Sequence, residues 1–407
     1  MTMFRITMIV LMILTAPTGF LWSSGNRETE LSSPSAPSSA DPGTAGAVVD
    51  SEIDTAAGTL MIRDATGREV EIPDNPEYII CSGPGALRLV SYLGAQDRVV
   101  AVDDMETRRP AYDARPYAMA NPQFKKLPTF GEFRGHDNPE LIVALDPQPQ
   151  LIFKTYPSMG TDPVELQRKT GIPVLCLNYG NLFEGREDLY TSLRTIARIL
   201  HRGARAEEII EYIESTIDDL EERTGDLPEE DKPSCYVGGI AFKGPHGFQS
   251  TEPIYPPFFF LNARNVAYDS SAEYGELEHA NVAKESIVMW NPEVLFVDVS
   301  TLQSDPQGSA IYELVHDPAY RGLSAVRTGE VYGMLPYNWY TQNFGSILAN
   351  AYFAGSVLYP SRFDDMDPEQ KADEIYRFLV GAAVFNDLNA SFGNCAFRRI
   401  DLKQWIR

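Results

Sequence analysis

NPEYIICSGPGALRLVSYLGAQDRVVAV, residues 75–102, decides the fold. A short apolar run at 78–81 ends in Cys-Ser-Gly-Pro-Gly. A helical pattern follows at 86–93, and a second apolar run occupies 99–102. Apolar runs of four residues, bounded by glycine and proline and separated by a helix, are the mark of parallel strands buried on both faces. The same texture continues outward. Runs at 151–153 and 174–177 read as further strands, and residues 139–145 as another covering helix. Upstream, the alternation at 59–62 and 69–72, split by Asp64 to Gly67, reads as a hairpin. Downstream, 189–198 and 204–223 are helical, with Ile209, Ile210, Ile213, Ile217 and Leu220 on one face. A second set then begins, with strands at 235–237, 294–297 and 331–334 and helices at 283–290, 345–358 and 368–385. The expected fold class is α/β, with two α/β lobes around one long helix.

The remaining chain divides accordingly. Residues 1–25 read as a signal peptide or N-terminal anchor, since Arg5 precedes an apolar run and small residues follow it. Residues 26–57 are a flexible tether rich in Ser, Pro and Ala, too poor in large apolar side chains to offset ordering entropy. The first lobe then spans 58–202, the interlobe helix 203–226 and the second lobe, with its terminal helices, 227–407. An exported protein, periplasmic or tethered to the outer face of the cytoplasmic membrane, is expected. The 407 residues carry 34 Lys+Arg against 57 Asp+Glu, a net charge of −23. That balance excludes a phosphate-backbone binder, so nucleic acid is not an expected partner. Cys81, Cys176, Cys235 and Cys395 form no CxxC, and their disulfide state is open.

Five stretches carry a resemblance. The opening motif 75–102 resembles that of class III periplasmic solute-binding proteins, the receptors of ABC importers for iron–siderophore complexes, haem and cobalamin. GHDNPELIVALDPQPQLIF (135–153), TGIPV (170–174), NVAKESIVMWNPEVLFVD (281–298) and AYRGLSAVRTGEVYGM (319–334) agree in order and spacing. The resemblance implies two Rossmann-like lobes joined by a long rigid helix with a ligand cleft between them, a non-catalytic binding role and a membrane permease as partner. A monomer without a resident cofactor is expected. The ligand it suggests first is an iron(III) chelate of the siderophore type, with cobalamin, haem or molybdate as alternatives. A bare metal-ion receptor and a cell-surface structural domain stand lower.

In open α/β sheets ligands lie at the carboxyl ends of the strands. That rule selects Ser82, Gly83, Arg108, Arg109, Arg134 and Tyr156 in the first lobe, and His246, Phe248, Tyr337, Asn338 and Trp339 in the second. The arginines suit an anionic ligand. The aromatics suit one with flat or apolar parts. For the permease, the resemblance implies one acidic docking residue per lobe. Glu285 stands at that position in the second lobe, whereas Arg88 stands where an acid is expected in the first. Enzyme readings find no support: Gly83-Pro84-Gly85 lacks the third glycine of a dinucleotide cradle, and neither GxSxG nor HExxH occurs.

Overall fold

The computed structural model describes residues 58–108, 110–269 and 279–406. The expected signal and tether, and Arg109, lie outside the described residues. The hairpin pairs β1 (Thr59–Arg63) with β2 (Glu69–Pro73), and its alternation turns Leu60, Ile62, Val70 and Ile72 inward. Asp64 closes the turn by accepting from the amides of Thr66 and Arg68 at 2.9 and 3.0 Å.

The first sheet holds β3 (Ile79–Ser82), β4 (Val99–Asp103), β5 (Thr129–Glu132), β6 (His136–Asp137), β7 (Leu151–Thr155) and β8 (Val174–Leu177). Its order is β6-β5-β4-β3-β7-β8, parallel except for β6 at the edge. Every residue of β3, β7 and β8 is buried, which is why these strands read as unbroken runs. After the helix Gly203–Thr224 come β9 (Ser234–Gly238), β10 (Ser250–Thr251), β11 (Arg264–Asn265), β12 (Ala280–Asn281), β13 (Val294–Asp298) and β14 (Val331–Met334). The second sheet runs β11-β9-β13-β14, all parallel, and β10 and β12 form a separate antiparallel pair. The triples β3-β7-β8 and β9-β13-β14 thus repeat one arrangement, although no fixed-period repeat is visible in the sequence.

At 22 residues the helix Gly203–Thr224 spans about 33 Å. It buries Ile209, Ile213, Ile217 and Leu220 and lies between the two sheets in chain order. The expected helix at 368–385 is instead two, Pro368–Val380 and Phe385–Ser391, because Gly381 ends the first in the left-handed conformation at φ 80°.

The terminal helices do not belong to the second lobe alone. Phe344–Leu358 is buried on nearly every side and must therefore pack all round. Phe344 stacks on Tyr179 of the first lobe at 5.1 Å, Phe378 stacks on Tyr212 of the long helix at 3.9 Å, and Ser391 Oγ donates to Asp113 O at 3.0 Å. One hydrophobic core consequently runs through both sheets' inner faces and these helices. Cys81, Cys176 and Cys235 are buried in strands, and all four cysteines are free thiols.

Candidate ligand-binding site

The first-lobe rim starts where β3 ends. Ser82 is fully buried, and its hydroxyl donates to Asp137 at 2.7 Å. Lys154 of β7, also fully buried, reaches Asp137 at 2.7 Å, Ser82 Oγ at 3.0 Å and Gly135 O at 3.2 Å. This cluster pins the loop at 133–135 to the sheet. Gly83 has φ 82°, and a Cβ there would sit 2.4 Å from Thr155 O. Ser82 and Gly83 are thus supports of the rim and not contact residues, a correction to their sequence-based role. Phe133, Arg108 and Arg134 form the accessible rim. The two guanidinium carbons lie 4.6 and 5.2 Å from the Phe133 ring centre. Arg108 pairs with Asp104 at 2.5 Å, and Asp104 also accepts from the Phe133 amide at 2.7 Å. Among the described residues the exposed Arg134 guanidinium has no carboxylate partner.

The second-lobe rim is the loop after β14. Asn343 Nδ2 donates to Tyr337 O at 3.0 Å and Trp339 O at 3.3 Å, and Trp339 N donates to Thr341 O at 3.1 Å. At the tip, Tyr340 and Thr341 take φ values of 50° and 66°. That tip enters the first lobe. Tyr340 OH donates to Asp103 and accepts from Arg134 N at 3.1 Å. Tyr156 OH shares a 2.7 Å bond with Thr341 Oγ1, and Tyr179 OH donates to Gln342 O at 2.6 Å. Arg88, fully buried, donates to Gln342 O at 2.6 Å, Trp339 O at 3.2 Å and Tyr340 O at 3.3 Å.

Arg88 is therefore an interlobe clamp, and its place opposite an expected docking acid has no surface meaning. The signal for this role available in the sequence is an arginine in an otherwise apolar helical stretch (Leu87, Leu89, Val90). Tyr337 is also buried, its hydroxyl bonded to Glu252, so it is not a cleft wall. Phe248 lies in the second-lobe core between Tyr236 and Tyr320, both at 5.2 Å, and is removed from the site. Trp339 is half-buried against Phe392 at 5.8 Å. Asn338 Nδ2 donates to Ala241 O at 3.2 Å, which ties the loop carrying Phe242 and the exposed His246 to the seam. Tyr156, Arg108, Arg134, Asn338, Trp339 and His246 keep accessible surface on or beside the seam.

Two buried carboxyls stand at strand ends. Burial, aided by Glu106, pushes Asp103 up to about 7. Burial likewise pushes Asp298, at the end of β13, up to about 7, and among the described residues its Oδ2 has no partner. Among the described residues no three His, Cys, Asp or Glu side chains group to hold a metal ion, and no helix is long and apolar enough to cross a membrane.

A cavity of about 760 Å³ opens elsewhere, on the flank where the end of the long helix meets the second lobe, lined by Phe183, Glu221, Tyr255, Phe259 and Tyr268 among others. Volume favours that flank. Strand polarity, and the converging loops of both sheets, favour the seam. The seam carries more weight, because there the loop after β14 bonds side chains at the carboxyl ends of β4 and β7.

Comparisons agree with this architecture. A curated relative from Bacillus subtilis strain 168, the uncharacterized ABC transporter substrate-binding lipoprotein YvrC, is 22% identical over 58% of this chain and 68% of its own. The molybdate-binding protein MolA of Haemophilus influenzae is 20% identical over 79% of this chain and 91% of its own. Its molybdate-bound structure superposes with a TM-score of 0.59 at 19% identity, covering 79% of this chain and 98% of that one. A periplasmic solute-binding protein from Veillonella parvula gives a TM-score of 0.62 at 17% identity, covering 82% and 96%. Residues 79–337 match the family described as periplasmic binding protein, well over half of the sequence. With two parallel sheets whose strand-end loops close on each other, the chain belongs to the periplasmic binding protein family.

Proposed function

We propose that this chain is the exported substrate-binding component of an ABC importer, and that it captures an anionic iron(III) chelate of the siderophore type for delivery to a membrane permease. The carrying observation is the rim of Arg108 and Arg134 around Phe133, facing the Asn338–Thr341 loop. An unpaired guanidinium beside an aromatic ring suits an anionic ligand with a flat or apolar body. Calorimetric titration with ferric siderophores, haem, cobalamin and molybdate tests the reading. A ferric chelate is expected to bind, and Arg134→Ala to weaken it about tenfold. Binding of molybdate alone would overturn the iron assignment. That second reading draws support from the seam itself: direct bonds such as Tyr156–Thr341 at 2.7 Å hold the two rims closer together than a large chelate needs.

Docking follows from the repeated topology. Glu285 is exposed in the first turn of the helix Lys284–Trp290, which leads into β13. In the first lobe the equivalent helix, Pro139–Val143, leads into β7 and carries exposed Glu140 in its first turn. Both acids begin the same pattern, Glu140-Leu-Ile-Val and Glu285-Ser-Ile-Val, with Ile142 and Ile287 fully buried beneath them. Glu140 thus replaces Arg88 as the first-lobe docking candidate. Glu140→Lys and Glu285→Lys are each expected to reduce uptake through the cognate permease in proteoliposomes without changing ligand affinity. Normal uptake by both variants would remove the pair from the docking surface.

A further inference from the structure

We infer that the tip of the 338–342 loop is a built-in occupant of the ligand cleft, and that Tyr340 selects which ligands enter. A large chelate binds by displacing the Tyr340 phenol from the first lobe, whereas a small oxyanion does not. This rests on the chelate reading above and names the protein group with which the ligand competes.

Three strand ends carry the argument. Asp103 closes β4, Arg134 lies just beyond β5 and Tyr156 directly follows β7, so together they mark the edge at which a parallel sheet receives its ligand. The loop tip bonds to all three. Tyr340 OH donates to Asp103 Oδ2 and accepts from Arg134 N at 3.1 Å, and Thr341 Oγ1 shares a 2.7 Å bond with Tyr156 OH. The Tyr340 ring centre is 6.4 Å from that of Phe133, the ring that Arg108 and Arg134 flank. A ligand that approaches the rim arginines therefore meets a phenol already in place.

The tip is held there against its own backbone. Tyr340 and Thr341 take φ values of 50° and 66°, two consecutive left-handed residues of which neither is glycine and one is β-branched. Such conformations persist only where the surroundings enforce them. The base of the loop is separately secured: Asn338 and Gln342 form an antiparallel bridge, and Arg88 and Tyr179 each donate to Gln342 O at 2.6 Å. Among the described residues, Arg88 Nε, Gln342 Oε1 and Asn343 Oδ1 at that base are buried without partners, which a fully settled contact would pair. Strain at the tip and orphaned atoms beneath it both raise the energy of the shut arrangement. The bonds of Tyr340 and Thr341 offset that cost, and a ligand that replaces them shifts the loop outward.

The test compares the full chain with Tyr340→Phe, which keeps the ring and deletes both hydroxyl bonds, and Tyr340→Ala, which vacates the place. The probes are iron(III)–enterobactin, a large anionic chelate, and molybdate, each titrated calorimetrically. Deleting a ligand contact weakens binding, whereas deleting a competitor tightens it. The expected result is chelate binding about tenfold tighter in Tyr340→Phe and at least as tight in Tyr340→Ala, with molybdate changed by less than about threefold. Chelate binding that appears only in the variants would support the same inference. Unchanged or weaker chelate binding in both variants would overturn it and leave the chelate reading intact, and equal tightening of both probes would overturn the selection by size. Chelate binding by none of the three proteins would overturn both the inference and the reading beneath it.

Discussion

Replacing Lys154 with Met is expected to destabilise the protein by about 3–5 kcal/mol at pH 7. Lys154 and Asp137 are both buried, 2.7 Å apart, and Lys154 also serves Ser82 and Gly135. Methionine keeps most of the side chain's length and removes only the charge. The Asp137 carboxylate is then left in a low-dielectric site with one hydroxyl for company. Burial already pushes the Asp137 carboxyl up against the opposing pull of Lys154. Without the lysine it should take a proton more readily, so the deficit should shrink toward acid pH. Urea midpoints at pH 7 and pH 4.5 measure both effects. A loss below about 1 kcal/mol at pH 7 would mean that the ion pair is not what secures the 133–135 rim.

Asp298→Asn should act in the opposite direction, stabilising the protein at pH 8 by on the order of 2–4 kcal/mol. The folded-state pKa is about 7 against an ordinary 3.8. Below 3.8 the carboxyl is protonated in both folded and unfolded states, and its burial carries no ionic penalty. Between 3.8 and 7 the unfolded chain ionises first, so stability falls as pH rises. Above 7 the penalty is complete, because Oδ2 is buried without a partner. Asparagine retains the Oδ1 acceptor for Ser300 N, which lies at 2.8 Å. Thermal unfolding across pH 4–8 should therefore show a gain that grows with pH and vanishes at the acid end. A uniform gain, or a loss at pH 8, would contradict an uncompensated buried carboxylate. Asp103 titrates in the same window, but its bond to Tyr340 couples it to the seam, which makes Asp298 the cleaner test.

What could be read from the sequence follows from local physics. Strands buried on both faces announce themselves as runs such as Ile79-Ile80-Cys81, and the long helix by its isoleucine stripe. Strand-end loops could be located because parallel sheets put their carboxyl ends together. Side-chain direction within those loops could not. Tyr337 and Tyr340 are three residues apart in one aromatic loop, yet one is sealed against Glu252 and the other crosses to Asp103. Phe248 follows a glycine in a polar loop but packs against Tyr236 and Tyr320. Arg88 was unreadable for a different reason: its partners are carbonyls more than 250 positions away. The same long range hid the docking of the terminal helices on the first lobe, since an apolar helix does not say which surface will bury it.

A ligand gripped between the strand ends of both sheets, as proposed, must touch loops from each. Hydrogen exchange on the full chain, with and without a saturating ferric chelate, reads those contacts. Binding should slow exchange together in the loops around residues 104–108 and 133–135 of the first lobe and around 241–246 and 338–342 of the second. Protection confined to the flank lined by Phe183, Phe259 and Tyr268, with the seam loops unchanged, would contradict it.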